Sequence, residues 1–205
     1  MTFTTAHMSM SLDGFVAGPD QSLSDPLGRG GMAVHRWHMP TDQPAHEVDA
    51  RWTARLMRKR GAYVMGRNMY GPVRGPWSSW ETEWRGWWDE NPPYHAPVFV
   101  LTHHEHEPTQ MEGGTTFHFV TEGLARALEL AREAGDGDVD ISGGASVVRQ
   151  ALAAGELDEL TLDIAPVLLG TGERIFDEHT QATLECVEAE HSPLATHVRY
   201  RVTGR

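Results

Sequence analysis

The chain has 205 residues, of which 40% are hydrophobic and 22% charged, and it carries a formal net charge of -12 at pH 7. That length fits one domain able to bury a substantial core. The acidic balance excludes a nucleic-acid or anionic-membrane surface, both of which need a basic field. Cys186 is the only cysteine, so neither an internal disulfide nor a thiolate metal cluster can form.

The opening MTFTTAHMSMSLDG lacks the positive flank and long apolar stretch of a signal peptide, and no apolar run reaches the length of a membrane span. A cytoplasmic protein with no membrane partner is expected. Residues 2–11 alternate and predict a first strand, ending at the turn dipeptides Asp13-Gly14 and Gly18-Pro19. A long loop follows to about Pro44. Val48, Trp52 and Leu56 then mark the apolar side of a helix that Gly61 stops. AYVMG reads as a short buried strand with Gly66 at its exit.

Residues 71–96 form a Trp-rich insertion in an otherwise single domain. Trp77, Trp80, Trp84, Trp87 and Trp88 recur at helical spacing, which suits either a short helix pinning the excursion or an aromatic wall beside a flat ligand. APVFVLT and TTFHFV are the next strands. Thr121 is expected to cap a helix over residues 122–134. DVDISGGASVVRQAL hands a strand over to a helix through two adjacent glycines. LDELTLDIAPVLLG gives a further strand, and residues 182–190 and 195–203 an antiparallel hairpin across HSPLA. Strands alternating with helices predict an α/β fold with a mostly parallel sheet.

Three strand exits share one property. Gly66-Arg67-Asn68, Leu101-Thr102-His103 and Ser142-Gly143-Gly144-Ala145-Ser146 each offer anion-friendly groups where a parallel sheet opens its carboxyl edge. A helix start adds free N–H groups and a partial positive charge, so a diphosphate suits it. Without side chains, Gly143 and Gly144 let the chain turn sharply and a phosphate approach the backbone. A dinucleotide is therefore the expected ligand. The sequence has no Walker-type or nucleophile-elbow motif, and Gly170-Thr171-Gly172 lacks the third glycine of a Rossmann fingerprint. His103, His104 and His106 leave three readings open, namely an exposed loop, a phosphate contact or a metal site; no metal-ligand spacing frames them, and no metal is expected.

MSMSLDGFVAGPD, VMGRNMYG, PVFVLTHH, EGGTTFHFV, ISGGASVVRQAL and LDELTLDIAPVLLGTGERIFD, in this order over nearly the whole chain, resemble the dihydrofolate reductase-like family. The branch is the one named for the reductase domain of the bifunctional riboflavin-biosynthesis deaminase-reductase. The resemblance implies a central, mostly parallel mixed sheet flanked by helices, an antiparallel C-terminal hairpin, a homodimer and bound NADPH. It puts the cofactor phosphates on Gly66, Arg67 and Asn68, the adenosine ribose and 2′-phosphate at Leu101, Thr102 and His103, and the diphosphate at Ser142, Gly143, Gly144, Ala145 and Ser146. Residues 12–17, with Val16 and Ala17, become a mobile loop beside the nicotinamide. The implied reaction is hydride transfer from NADPH to a small C=N or C=O acceptor resembling a pterin, a pyrimidine or a related heterocycle.

On this reading Asp13 polarises the substrate or supplies a proton. Trp37 or Trp77 walls the substrate, and Glu47 or its neighbour Asp49 holds it from the first helix. A non-catalytic NADP-binding sensor is the alternative.

Overall fold

The computed structural model describes residues 2–39, 44–79 and 87–204. Eleven strands and four α-helices are present among them. In chain order these are β1 (Thr4–Ser11), β2 (Phe15–Ala17), α1 (Glu47–Leu56), β3 (Ala62–Gly66), α2 (Arg67–Tyr70), β4 (Pro97–Leu101), β5 (Thr109–Gln110), β6 (Thr116–Val120), α3 (Leu124–Ala134), β7 (Val139–Gly143), α4 (Ala145–Ala154), β8 (Glu159–Ala165), β9 (Glu173–Arg174), β10 (Thr183–His191) and β11 (Thr196–Gly204).

Nine strands form one sheet in the order β10-β11-β8-β1-β7-β3-β4-β6-β5. The six from β8 to β6 run parallel, whereas β10, β11 and β5 pair antiparallel. The mixed α/β sheet and the closing hairpin are those expected from the sequence. Hairpin and helix boundaries fall within two residues of the expected ones, except that α1 stops at Leu56 and residues 57–61 form a turn and an irregular link to β3.

Successive strand residues point to opposite faces, and β1 divides sharply between them. Ala6 and Met8 join the main core beneath α3 and α4, with Val64, Ile141, Leu160, Ala127, Leu128 and Val148. Thr5, His7 and Ser9 point the other way, toward α1, and are also buried. A second core of Tyr63, Met65, Tyr70, Val98, Val100 and Phe117 lies against β3 and β4.

Two local expectations need correction, and a third, the helix of the Trp-rich stretch, falls mostly outside the described residues. Helix α3 begins after Gly123, whose φ of 92° breaks the chain direction; Thr121 does not cap it, because its N–H and hydroxyl both donate to Glu122 Oε2. Residues 15–17 are not loop but β2, paired with β9 across the carboxyl edge of the sheet. Trp77 lies in a single 3-10 turn, Trp77–Ser79, while Trp87 and Trp88 are in a bend; Trp80 and Trp84 fall outside the described residues.

Candidate functional site

The sheet order places the three expected exits on neighbouring strands, β7, β3 and β4. Gly66 pairs with Leu101, and Met65 with Gly143. A Cβ on Gly66 would stand 3.0 Å from Val147 Cγ2 and 3.6 Å from the Gly144 nitrogen, so glycine there lets the β7–α4 turn close over β3. Gly143 has φ of 117°, a backbone that side chains disfavour; the Gly143–Gly144 peptide is cis. Gly144 then opens α4, and its carbonyl accepts from Val147 N–H at 3.1 Å and Val148 N–H at 3.3 Å. Nothing lies within 4 Å of the point where a Cβ on Gly144 would project. The turn therefore presents first-turn N–H groups beside open space. Ala145 is buried beneath it, Ser146 is exposed, and Ser142 Oγ donates to Asp140 Oδ2 at 3.2 Å.

At the next two exits the contacts run sideways into the 71–79 segment. Arg67 Nη1 donates to the Val73 carbonyl at 3.1 Å, and its guanidinium lies 3.7 Å over the Trp77 ring. Burial lowers the Arg67 pKa to about 10, which leaves it cationic at neutral pH. Trp77 Nε1 in turn donates to the His104 carbonyl at 2.9 Å, so Trp77 ties the β3 exit to the β4 exit. Thr102 is buried and its hydroxyl accepts from His104 N–H at 3.1 Å. Asn68 and Leu101 are half-buried and His103 is exposed. His106 packs its ring on Trp77 and Phe119, at 4.7 and 4.5 Å. Among the described residues no group of three His, Cys, Asp or Glu side chains is placed to hold a metal ion.

At the β1 exit, Asp13 is fully engaged. Its Oδ1 accepts from Ser11 Oγ at 2.6 Å and Leu169 N–H at 3.1 Å, and its Oδ2 from Gly170 N–H at 2.7 Å. The Ser11 hydroxyl, aided by the two amides, holds the carboxyl down to about 2. Such a group is an anion and an acceptor, and it ties the β1 exit to the turn after β8. Val16 and Ala17 are buried in β2, with Arg174 stacked 4.5 Å over Phe15.

The face toward α1, the helix that carries Glu47, corrects one expected substrate contact, Trp37. Glu47 is exposed in the first turn of α1, and the helix buries Asp49 instead. Trp37 is 2% exposed, donates to Ser9 Oγ at 2.9 Å and sets its edge on His197 at 4.9 Å; it is a wall inside the protein. Around it runs a chain of titratable groups. His7 Nε2 meets Asp163 Oδ2 at 2.7 Å, His197 Nδ1 meets Asp163 Oδ1 at 2.7 Å, and His197 Nε2 meets Asp49 Oδ1 at 2.9 Å.

Both ring nitrogens of His197 face carboxylates, so this ring favours the imidazolium form, a donor at both ends. Burial alone would depress its pKa, but the bonds from Asp163 and Asp49 outweigh burial and raise it. Asp163 is pushed up by burial and pulled further down by His7 and His197, for a net lowering. Trp52 stacks on His197 at 5.1 Å and donates from Nε1 to Glu190 at 2.8 Å, closing the cluster. His35 and His38 flank it, 3.3 Å apart; burial and the charge of His38 bring His35 to about 4.

Residues 2–198 match the family described as the RibD C-terminal domain. Solved structures with the same fold include a protein of Shewanella sp. PV-4 described as a riboflavin biosynthesis protein, 22% identical, TM-score 0.63, covering 98% of this chain and 99% of that one. RibD of Acinetobacter baumannii is 17% identical with a TM-score of 0.59. The Thermotoga maritima diaminohydroxyphosphoribosylaminopyrimidine deaminase/5-amino-6-(5-phosphoribosylamino)uracil reductase is likewise 17% identical with a TM-score of 0.59. The chain covers only 58% and 57% of these last two, while they cover 99% and 98% of it. No curated protein matches the sequence.

Proposed function

Because the chain belongs to the RibD C-terminal domain family, we propose that it is an NADPH-dependent reductase acting on a small C=N or C=O acceptor, resembling a pyrimidine, a pterin or a related heterocycle. The observation that carries this reading is the open space at Gly144, at the start of a helix beside two further exits, the glycine-bearing one of β3 and the hydroxyl-bearing one of β4. A Cβ would fill that space, and a diphosphate fits it, since its charge meets N–H groups and the positive end of α4.

Gly143, Gly144, Ala145 and Ser146 would hold the diphosphate, with Ser142 beneath. Gly66, Arg67 and Asn68 border it, and Arg67 brings the fixed positive charge. Leu101, Thr102 and His103 would take the adenosine ribose and its 2′-phosphate, the group that separates NADPH from NADH. Val16 and Ala17 would border the nicotinamide. NADPH supplies the hydride; the chain's part is to orient the reactants and keep water out. In this scheme β2, held by β9, forms a wall of the crevice, and Asp13 fixes the spacing of the β1 and β8 exits.

Asp13 also favours a second reading, a non-catalytic NADP-binding protein, because its carboxylate is already occupied by three donors. Following the loss of nicotinamide absorbance with a panel of cyclic imines and carbonyl heterocycles separates the two. Turnover with any acceptor supports the reductase; binding without oxidation across the panel supports the sensor.

A further inference from the structure

The opposite end of the sheet, where the parallel strands begin, holds a cavity of about 420 Å³ that the reductase reading does not use. Arg55 of α1, Arg58 and Arg60 of the segment after it, and Arg199 of β11 surround it, over a floor that includes Thr5, His7 and Thr161. Arg58-Lys59-Arg60 is the one run of three basic residues in a chain of net charge -12. It lies at the amino end of β3, whereas the dinucleotide exits lie at the carboxyl end.

Each guanidinium has an acidic neighbour, but the pairs are unequal. Arg55 holds Glu188 through two nitrogens at 3.0 and 3.2 Å, and Arg199 holds Glu159 at 2.7 Å and Glu188 at 3.2 Å. Arg58 reaches Asp138 only at 3.3 Å. Arg60 Nε pairs with Asp140 Oδ1 at 3.7 Å, an ion-pair separation but outside hydrogen-bond distance.

Arg60 is the informative residue. It is 8% exposed, and its Nε–H has no hydrogen-bond acceptor among the described residues. Its one described hydrogen bond runs from Nη1 to the Arg58 carbonyl at 2.8 Å. A buried cationic donor without an acceptor is costly unless something completes it. Planar guanidinium forks match phosphate oxygens better than any other anion-binding side chain.

We propose that this cavity is a phosphate-binding site for a small phosphomonoester, held chiefly by Arg60 and Arg58 and separate from the dinucleotide crevice. Isothermal titration of the 205-residue chain with inorganic phosphate tests it, on wild type, Arg58→Gln, Arg60→Gln and Arg67→Ala. The proposal expects saturable one-to-one binding, weakened about 10-fold or more by Arg58→Gln and unchanged by Arg67→Ala. The Arg58 side chain is 56% exposed, so that variant folds even if Arg60→Gln does not.

Three results would overturn the proposal. One is no saturable binding; another is heat reproduced by chloride at equal ionic strength; the third is binding lost in Arg67→Ala but kept in Arg58→Gln, which places the anion in the crevice instead. NADPH affinity of Arg58→Gln, measured alongside, reports on the reductase reading independently.

Discussion

Asp163→Asn is the sharpest test of how α1 is fastened to the sheet. Asp163 is fully buried and accepts at 2.7 Å from both His7 and His197. Hydrogen bonds to a charged acceptor contribute about 1.5–3 kcal/mol each. Asparagine keeps one acceptor oxygen, turns its amide toward the other imidazole and removes the counter-charge of His197. Breaking a buried pair by removing one partner costs about 3–5 kcal/mol; the retained oxygen puts the expected loss near the lower end, about 3 kcal/mol. For a chain of this size that lowers the melting temperature by about 6–12 °C.

The pH dependence has a definite sign. Asp163 has a lowered folded pKa, so its contribution is present above its unfolded value and lost as pH falls through the folded one. His197 has a raised folded pKa, so its contribution is full below its ordinary 6.5 and lost as pH rises through the folded value. Both operate together between about pH 4 and 6.5, where the gap between wild type and variant should be widest. Urea unfolding from pH 3 to 9 measures it, with Asp20→Asn as control, since the Asp20–Arg29 pair is about three-quarters exposed on both sides and should contribute less than about 1 kcal/mol. A loss below about 1 kcal/mol for Asp163→Asn, or a gap independent of pH, would refute the ionic account of this cluster.

Gly172→Ala should destabilise the β2–β9 pair, because Gly172 has φ of 138° and its Cβ would lie 2.1 Å from the Ala17 carbonyl oxygen; a melting temperature within 1 °C of wild type would contradict this. Gly144→Ala should keep the fold, since its φ of -77° suits alanine and nothing stands in the way, yet weaken NADPH about 10-fold by filling the diphosphate cradle; unchanged affinity in a titration would count against the cradle. Asp13→Asn should lower turnover more than NADPH affinity. Its side chain keeps one acceptor oxygen and sets an NH2 donor against the other amide, where both carboxylate oxygens now accept, from Leu169 N–H and Gly170 N–H; equal loss of kcat and binding would show a general collapse of the edge instead.

The sequence exposes what is carried by local period and by glycine. The β3, β4 and β7 exits were legible because each ends a short apolar run at Gly66, Thr102 or Ser142, and a parallel sheet has only one carboxyl edge on which to gather them. The β2–β9 pair was not, because strands of three and two residues leave no alternation to detect. The cluster of Asp49, His7, Asp163 and His197 was missed because its members lie 34 to 156 residues apart. Alternating polar residues ordinarily signal a solvated strand face. The available signal was His7 and Asp163 inside what read as central strands: a parallel sheet is covered on both sides, so polar residues there must pair with one another. Which acid of EVD turns inward, Asp49 rather than Glu47, was hidden for a related reason, since helix phase rather than charge decides it.

The most direct measurement is titration of the purified chain with NADPH and with NADH, followed by nicotinamide fluorescence and calorimetry, on wild type and Arg67→Ala. One saturable site that prefers NADPH, and that weakens when the guanidinium is removed, is the result predicted here. Absence of saturable binding to either nucleotide would contradict the assignment of the β7, β3 and β4 exits as a dinucleotide site.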